Sequence, residues 1–431
     1  MVVDSNCLDF SQYPVITELI TAGVQGGVPD NLPVIATINN TDNIQTAIDN
    51  STGDGVIILT AGIYPISSTI YMKSNIVLRG ESAELVIIQS TIKSTREQGK
   101  KNTIEFNNVS NSGIENLTIL YQVIGYEPID KLDWLDGGWC GDCFQNDPHG
   151  LDDLYVRQVS INNSSNNCWI DSCRILKSGT DPILLAGNHN TLRNNYVDRC
   201  YNKGGSGNGY YDIRGDYNLI YNETIKRLRH FTIQQGAEYN VIIGNYIEGD
   251  VNFHNGDNGN NLLENNEIKL PTWHGWDIFG TGGAVYGHQP PGPNNIFVNN
   301  TINYKNQGPR YADANVIYTF TDYGQPDTTN WTMPICNTFY PMDMDNNLNS
   351  QTTIDSNEIL IYPNPVKDKL YLKGNIILLE KEIKMYNALG QEVDFVVNNS
   401  SQNNIEIDMS NLKTGFYILK TKTNTKKIYK K

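Results

Sequence analysis

Long apolar runs are missing from this 431-residue chain. No stretch reaches the roughly 18 apolar residues of a spanning helix, so no membrane span is expected. Helical periodicity is almost as scarce. Only residues 42–50 (DNIQTAIDN) read as a short helix, with Thr41 or Asp42 as its cap. Charged residues make up 18% of the chain, and positive charge is the scarcer sign, 32 Lys and Arg against 47 Asp and Glu. So acidic a protein is not expected to bind duplex nucleic acid. The seven cysteines (7, 140, 143, 168, 173, 200 and 336) are odd in number and cannot all pair. Cys140-Gly-Asp-Cys143 has a redox or zinc spacing but no second such pair, so a loop disulfide or buried thiols are expected instead. The opening MVVDSNCLDF lacks a signal peptide's apolar region, and its Met is expected to replace a removed signal.

What the chain has in abundance is a recurring phrase: Asn, two or three apolar residues, one or two polar residues, then an apolar stop. Copies begin at Asn190, Asn218, Asn240, Asn261 and Asn295, separated by 28, 22, 21 and 34 residues. Looser copies cover residues 112–119 and 167–175. Short β-type runs at this period predict a solenoid, because one repeat cannot bury its apolar side alone. Stacked coils then present equivalent outward positions as ladders, a surface suited to chain-like substrates.

The segments before the repeats are a short helix, a β run ending Ala61-Gly62-Ile63-Tyr64, then Ser74-Asn-Ile-Val-Leu-Arg-Gly80. This order resembles the entry of right-handed parallel β-helix proteins of the pectate lyase superfamily, and the resemblance implies that the helix caps the open end of the solenoid. The fold expected is all-β: a parallel β-helix over residues 1–341, a polar linker over 342–358, and a small β-sandwich over 359–431. Long excursions interrupt the coils at about 125–150 and 271–293. The tail carries 12 Lys against 7 Asp or Glu, so of the net −15 the remainder carries −20. Its series Tyr362-Pro-Asn-Pro365, Leu370-Tyr-Leu372 and Gly415-Phe-Tyr-Ile-Leu-Lys420 closely resembles the C-terminal sorting domain of the type IX secretion system of Bacteroidota. That resemblance implies export across the outer membrane, with the secretion machinery as a partner and the protein released or held at the cell surface.

Three coils can be overlaid on their apolar residues. Tyr211 and Ile213, Phe231 and Ile233, and Val251 and Phe253 then face inward. The outward residues form columns: Tyr210, His230 and Asp250; Asp212, Thr232 and Asn252; Arg214, Gln234 and His254. Adjacent rungs lie roughly 4.8 Å apart. The patch therefore gathers acids, bases and a phenol. A basic cluster, Arg193, Arg199, Lys203, Lys226, Arg227 and Arg229, stands out in the acidic domain and can either neutralise a substrate carboxylate or pair with Asp198, Asp216 and Glu223.

The stretch Ile213-Arg-Gly-Asp-Tyr-Asn218, Phe231-Thr-Ile-Gln-Gln-Gly236 and Asn240-Val-Ile-Ile-Gly-Asn245 resembles the catalytic region of the alginate lyase and chondroitinase B family. The family's Lys base and assisting Arg correspond here to Arg214 and Gln234, so its mechanism does not transfer intact. Asn166-Asn-Cys-Trp-Ile-Asp-Ser-Cys173 resembles an architectural segment of pectate lyases, and Asp147-Pro-His149 resembles part of an epimerase motif without its flanking Tyr.

Two chemistries fit a polysaccharide substrate. In β-elimination Arg214 neutralises a uronate carboxyl, His230 or His254 is the base and Tyr210 the acid. In inverting hydrolysis Asp212 and Asp250 are the carboxyl pair, near the upper end of the separation of about 6.5–9.5 Å that such pairs show. Gln234, Lys203, Arg229, Trp139 and Trp273 are candidate substrate contacts. A non-catalytic glycan binder would instead depend on exposed aromatics such as Trp134, Trp139, Trp273 and Trp276. Ca²⁺ is a candidate cofactor through the acidic loops 250–257 and 147–153. A monomer is expected.

Overall fold

A computed structural model describes residues 16–122, 154–203, 207–270, 278–279, 287–304, 308–320, 326–334, 337–340, 360–362, 366–373, 383–387, 391–401, 404–420 and 425–430. The chain divides into two compact units, residues 1–342 and 343–431.

The first unit is a parallel β-helix of three sheets. Among the described residues they hold 12, 10 and 7 strands, and each coil gives a strand in turn to each sheet. Strand crossovers between parallel strands take the right-handed sense. In the seven-stranded sheet, Tyr210–Ile213 pairs with His230–Ile233, which pairs with Asp250–Asn252. The register sets Tyr210, His230 and Asp250 in one row and Asp212, Thr232 and Asn252 in another, as the sequence predicts. Tyr211, Ile213, Phe231, Ile233, Val251 and Phe253 all point into one continuous apolar core.

The repeated phrase has a physical basis. Its first Asn forms an internal ladder. Asn190 donates through its backbone N–H and side-chain amide to Asn218 Oδ1, and the same pair of bonds runs from Asn218 to Asn240, Asn240 to Asn261 and Asn261 to Asn295. Five residues on lies a corner. Asn194, Asn222, Gly244, Asn265 and Asn299 there adopt φ of 53° to 68°, a left-handed conformation that Asn and Gly tolerate best. The residue after each corner forms a second ladder, Asn195, Glu223, Asn245, Asn266 and Asn300. Glu223 stands in an asparagine position there, accepting from the Asn195 amide at 2.7 Å and from Tyr211 Oη at 3.2 Å. Buried polar groups need such partners, and the ladders provide them on every rung.

The helix is shorter than expected and differently capped. It runs Ile44–Asp49, and Asn43 is the cap, its side chain accepting from Thr46 N at 2.8 Å. Ile44 and Ile48 face the core at the start of the solenoid. Residues near the domain's two ends also cover the outer face of the twelve-stranded sheet. Leu19, Ala22, Phe339 and Tyr340 pack there on Leu219, Val241, Leu262 and Ile296. Tyr340 Oη donates to Ala22 O at 3.0 Å, and Glu264 accepts from Phe339 N and Tyr340 N at 3.1 and 3.3 Å.

The second unit, considered alone, has a four-stranded and a three-stranded antiparallel sheet around Leu370, Met385, Ile405, Ile407 and Leu419. Cys168, Cys173 and Cys200 are buried free thiols. Burial pushes the Cys168 thiol up to about 12. Cys140 and Cys143 lie outside the described residues.

Candidate active site

The predicted columns meet on the seven-stranded sheet, yet they are not the open ladder that outward positions imply. Tyr210, Asp212, His230, Gln234 and Asp250 are each 0–2% exposed. His254 and Arg214, at the column's ends, are half-buried.

Tyr210 Oη lies 3.1 Å from His254 Nε2. Burial pushes the Tyr210 phenol well above its ordinary value, so it is protonated at neutral pH. His254 is shifted the other way, down to about 4, by burial first, then by His288 and Arg229. It is therefore an uncharged imidazole, and a protonated phenol facing Nε2 makes that nitrogen the acceptor. The Arg229 guanidinium lies 5.7 Å from the Tyr210 ring centroid and is itself buried.

His230 has a different role. Its Nδ1 lies 2.7 and 2.9 Å from the two oxygens of Asp250. Asp250 also accepts from Asn252 Nδ2 at 2.9 Å. The pair is wholly buried under Tyr210, whose ring meets that of His230 edge-on at 5.0 Å. His230 therefore supports Tyr210 from below.

Asp212 accepts four hydrogen bonds. Thr232 Oγ1 (3.0 Å) and Gln234 Nε2 (2.7 Å) reach Oδ1, while Arg214 Nε (2.9 Å) and Nη2 (2.6 Å) reach Oδ2. Arg214 also donates to Gln235 Oε1 at 2.9 Å. Arg214, expected to neutralise substrate, is instead the counter-ion of Asp212. Gln234 likewise is spent on Asp212.

The basic cluster disperses over different faces. Arg193 lies on the twelve-stranded sheet, paired with Asp171 at 2.7 Å, and Arg227 pairs with Asp198 through Nε at 2.7 Å. Lys226 is 3.9 Å from Glu248. Arg229 and Lys203 are buried beside the seven-stranded sheet. Trp139 and Trp273 lie outside the described residues, as does Asp147-Pro-His149.

Two groups were not anticipated. His288, on the return arm of the second excursion, places its ring 4.5 Å from that of His254. The buried carboxylate of Asp181 holds Tyr210 N at 3.1 Å and pairs with Lys100 Nζ at 2.5 Å and Arg157 Nε at 3.1 Å. Burial alone would raise Asp181, but the two cations outweigh it and keep it below its ordinary value.

The acidic loop 250–257 does not suit Ca²⁺. Asp250 is taken by His230 and Asn252. Asp257 accepts from Gly259 N, Asn261 Nδ2, Asn295 Nδ2 and Gly292 N at 2.8–3.0 Å. Loop 147–153 lies outside the described residues. Among the described residues no group of three or more His, Cys, Asp or Glu is placed to hold a metal ion. Two cavities of about 330 Å³ open elsewhere, one beside residues 20–28 and one beside the helix cap.

The architecture is thus a parallel β-helix bearing a polar, largely buried site, followed by a small sandwich. Residues 360–431 match the family described as the secretion system C-terminal sorting domain. The tail addresses the chain through type IX secretion to the outside or to the cell surface. No helix among the described residues is long and apolar enough to cross a membrane. A search of curated proteins finds no match. Among solved structures, the chain is similar to the pectin methylesterase from carrot (11% identity, 58% of this chain and 82% of that one, TM-score 0.35). It is also similar to the polygalacturonase of Erwinia carotovora (12%, 57% and 80%, 0.32) and the mannuronan C-5 epimerase A-module of Azotobacter vinelandii (17%, 53% and 63%, 0.29).

Proposed function

We propose that the β-helix domain is a secreted polysaccharide lyase that cleaves a uronate-containing chain by β-elimination. The observation that carries this reading is the contact between Tyr210 and His254, a protonated phenol against an uncharged imidazole. Elimination needs one group to take the proton α to the carboxyl and another to give a proton to the departing glycosidic oxygen. His254 Nε2 takes the first. The electrons of that C–H bond form the new C=C bond, the C–O bond breaks, and Tyr210 protonates the oxygen. The proton on His254 then returns to the Tyr210 oxygen across the 3.1 Å contact, restoring both groups. Arg229, over the Tyr210 ring, supplies the positive charge that the carboxylate and the developing enolate need. His230, Asp250 and Asp181 hold Tyr210 in place.

Inverting hydrolysis finds less support. Its two carboxylates, Asp212 and Asp250, are buried and committed to protein donors, and a general base must reach a water.

The test is incubation of the protein with a panel of polyuronates while ultraviolet absorbance of the unsaturated product is followed. A rise is expected. New reducing ends without absorbance would replace the lyase with a hydrolase, and neither signal on uronate, neutral or sulfated glycans would favour a binding protein.

A further inference from the structure

His288 comes from a part of the chain whose spacing breaks the repeat, yet the structure fixes it firmly. The coil that carries it is 34 residues long from Asn261 to Asn295. Its return arm is fastened to the turn that follows His254. Gln289 N donates to Asn255 Oδ1 at 3.3 Å, Gly292 N to Asp257 Oδ1 at 3.0 Å, and Asn260 N to Pro293 O at 2.8 Å. At Gly259, with φ of 93° or so, a Cβ would sit 2.0 Å from Pro293 O. Only glycine allows the arm to approach so closely. These fastenings press the His288 ring against His254, 4.5 Å between centroids and tilted by 47°. Tyr210 is His254's other ring neighbour on the sheet, at 5.3 Å.

We propose that His288 is a positioning residue of the site: it clamps the His254 imidazole against Tyr210 and couples protonation of His254 to its own. This inference rests on the reading of His254 as the proton acceptor. Two imidazoles in contact cannot both carry charge without repelling each other, so protonating one opposes protonating the other. The other charged or titratable groups that face His254 are Arg229 and His230 from the adjacent rung, Tyr210 and Asp212 from the rung beyond, and Asp250 from its own strand. Arg229 acts in the same direction as His288, and the two aspartates oppose it. Removal of His288 therefore lets His254 take a proton at higher pH, which narrows the range in which it is a base.

The experiment is a histidine ¹H–¹³C NMR titration of the whole chain, which has only six His. The His254 and His288 signals are assigned with His254→Gln and His288→Gln. In the unaltered protein, each of the two signals is expected to show both inflections of a coupled pair, with His254 titrating near 4. In His288→Gln the His254 midpoint should move up toward 6.5, the ordinary imidazole value. Independent single inflections in the unaltered protein, or an unmoved His254 midpoint in the variant, would overturn the proposal. The first readout requires no foldable variant beyond signal assignment, and neither requires turnover. Unsaturated products without coupling would leave the lyase reading standing and remove this inference. Coupling without products would do the reverse.

Discussion

Arg214 turns back onto Asp212, two residues before it, and places both Nε and Nη2 on a single carboxylate oxygen. That one contact removes two residues from the pool available to substrate. Arg214→Ala is therefore expected to act on stability first. It would strand a buried carboxylate, at a cost of roughly 3 kcal/mol, the low end for breaking a buried pair because the arginine is partly solvated. Chemical unfolding of the variant measures this. Arg229→Ala should instead leave folding nearly unchanged and raise KM or lower kcat on the polyuronate.

Tyr210→Phe removes one hydroxyl and little volume. Loss of the proposed acid should lower kcat by about 10²–10⁴-fold while the unfolding midpoint stays near that of the parent. A variant that retains most of its turnover would assign the acid elsewhere.

The pH dependence of activity follows from His254. A base with a midpoint near 4 is already free of its proton at pH 5. kcat/KM should rise as pH increases through about 4 and stay level through neutrality, rather than turning on near the ordinary imidazole value of 6.5. A pH–rate profile of the parent enzyme decides between them.

Two buried glutamates make stability depend on pH in the opposite sense. Burial raises Glu223 to about 8 and Glu264 to about 7, both above the ordinary 4.5. In each case the folded state holds the proton more tightly than the unfolded one. The stabilisation is complete below about pH 4.5 and is lost as pH rises through 7 and 8. The Tm of the β-helix domain should fall from pH 6 to pH 9. Glu223→Gln, which restores an amide to the ladder, should flatten much of that fall.

Asn240→Ala tests the ladder itself. It would leave the N–H groups of Asn218 and the carbonyl of Gly215 without their partner inside the coil. A loss of roughly 2–4 kcal/mol is expected from the unsatisfied groups, measured by urea unfolding.

The columns of Tyr210, His230 and Asp250 were legible in the sequence because three coils share a 20-residue offset, and alternation then fixes which side chains face out. The fate of Arg214 was not legible. Whether it faces substrate or its own strand neighbour is a rotamer question, and spacing does not encode rotamers. Burial of the outward columns was hidden for a related reason, since a β pattern reports which face a residue takes and not what covers that face. His288 escaped because its coil runs 34 residues, so no offset aligns it with His254. The Gly-, Pro- and aromatic-rich character of residues 271–293 was the available sign that this excursion mattered. Glu223 was visible as a departure from the asparagine phrase, but its significance depended on knowing that the phrase points inward. Lys100, Arg157 and Asp181 carried no sequence signal, since they come from separate coils.

Successive asparagines of the first ladder are joined by the same two bonds whether 28, 22, 21 or 34 residues lie between them. The ladder thus works as a ruler that counts turns and ignores contour length. A coil can grow or shorten at its excursion without slipping the frame above and below it. New loops can therefore be grafted into such a scaffold one turn at a time, which gives a molecule of this kind a modular route to new substrates while its frame stays the same.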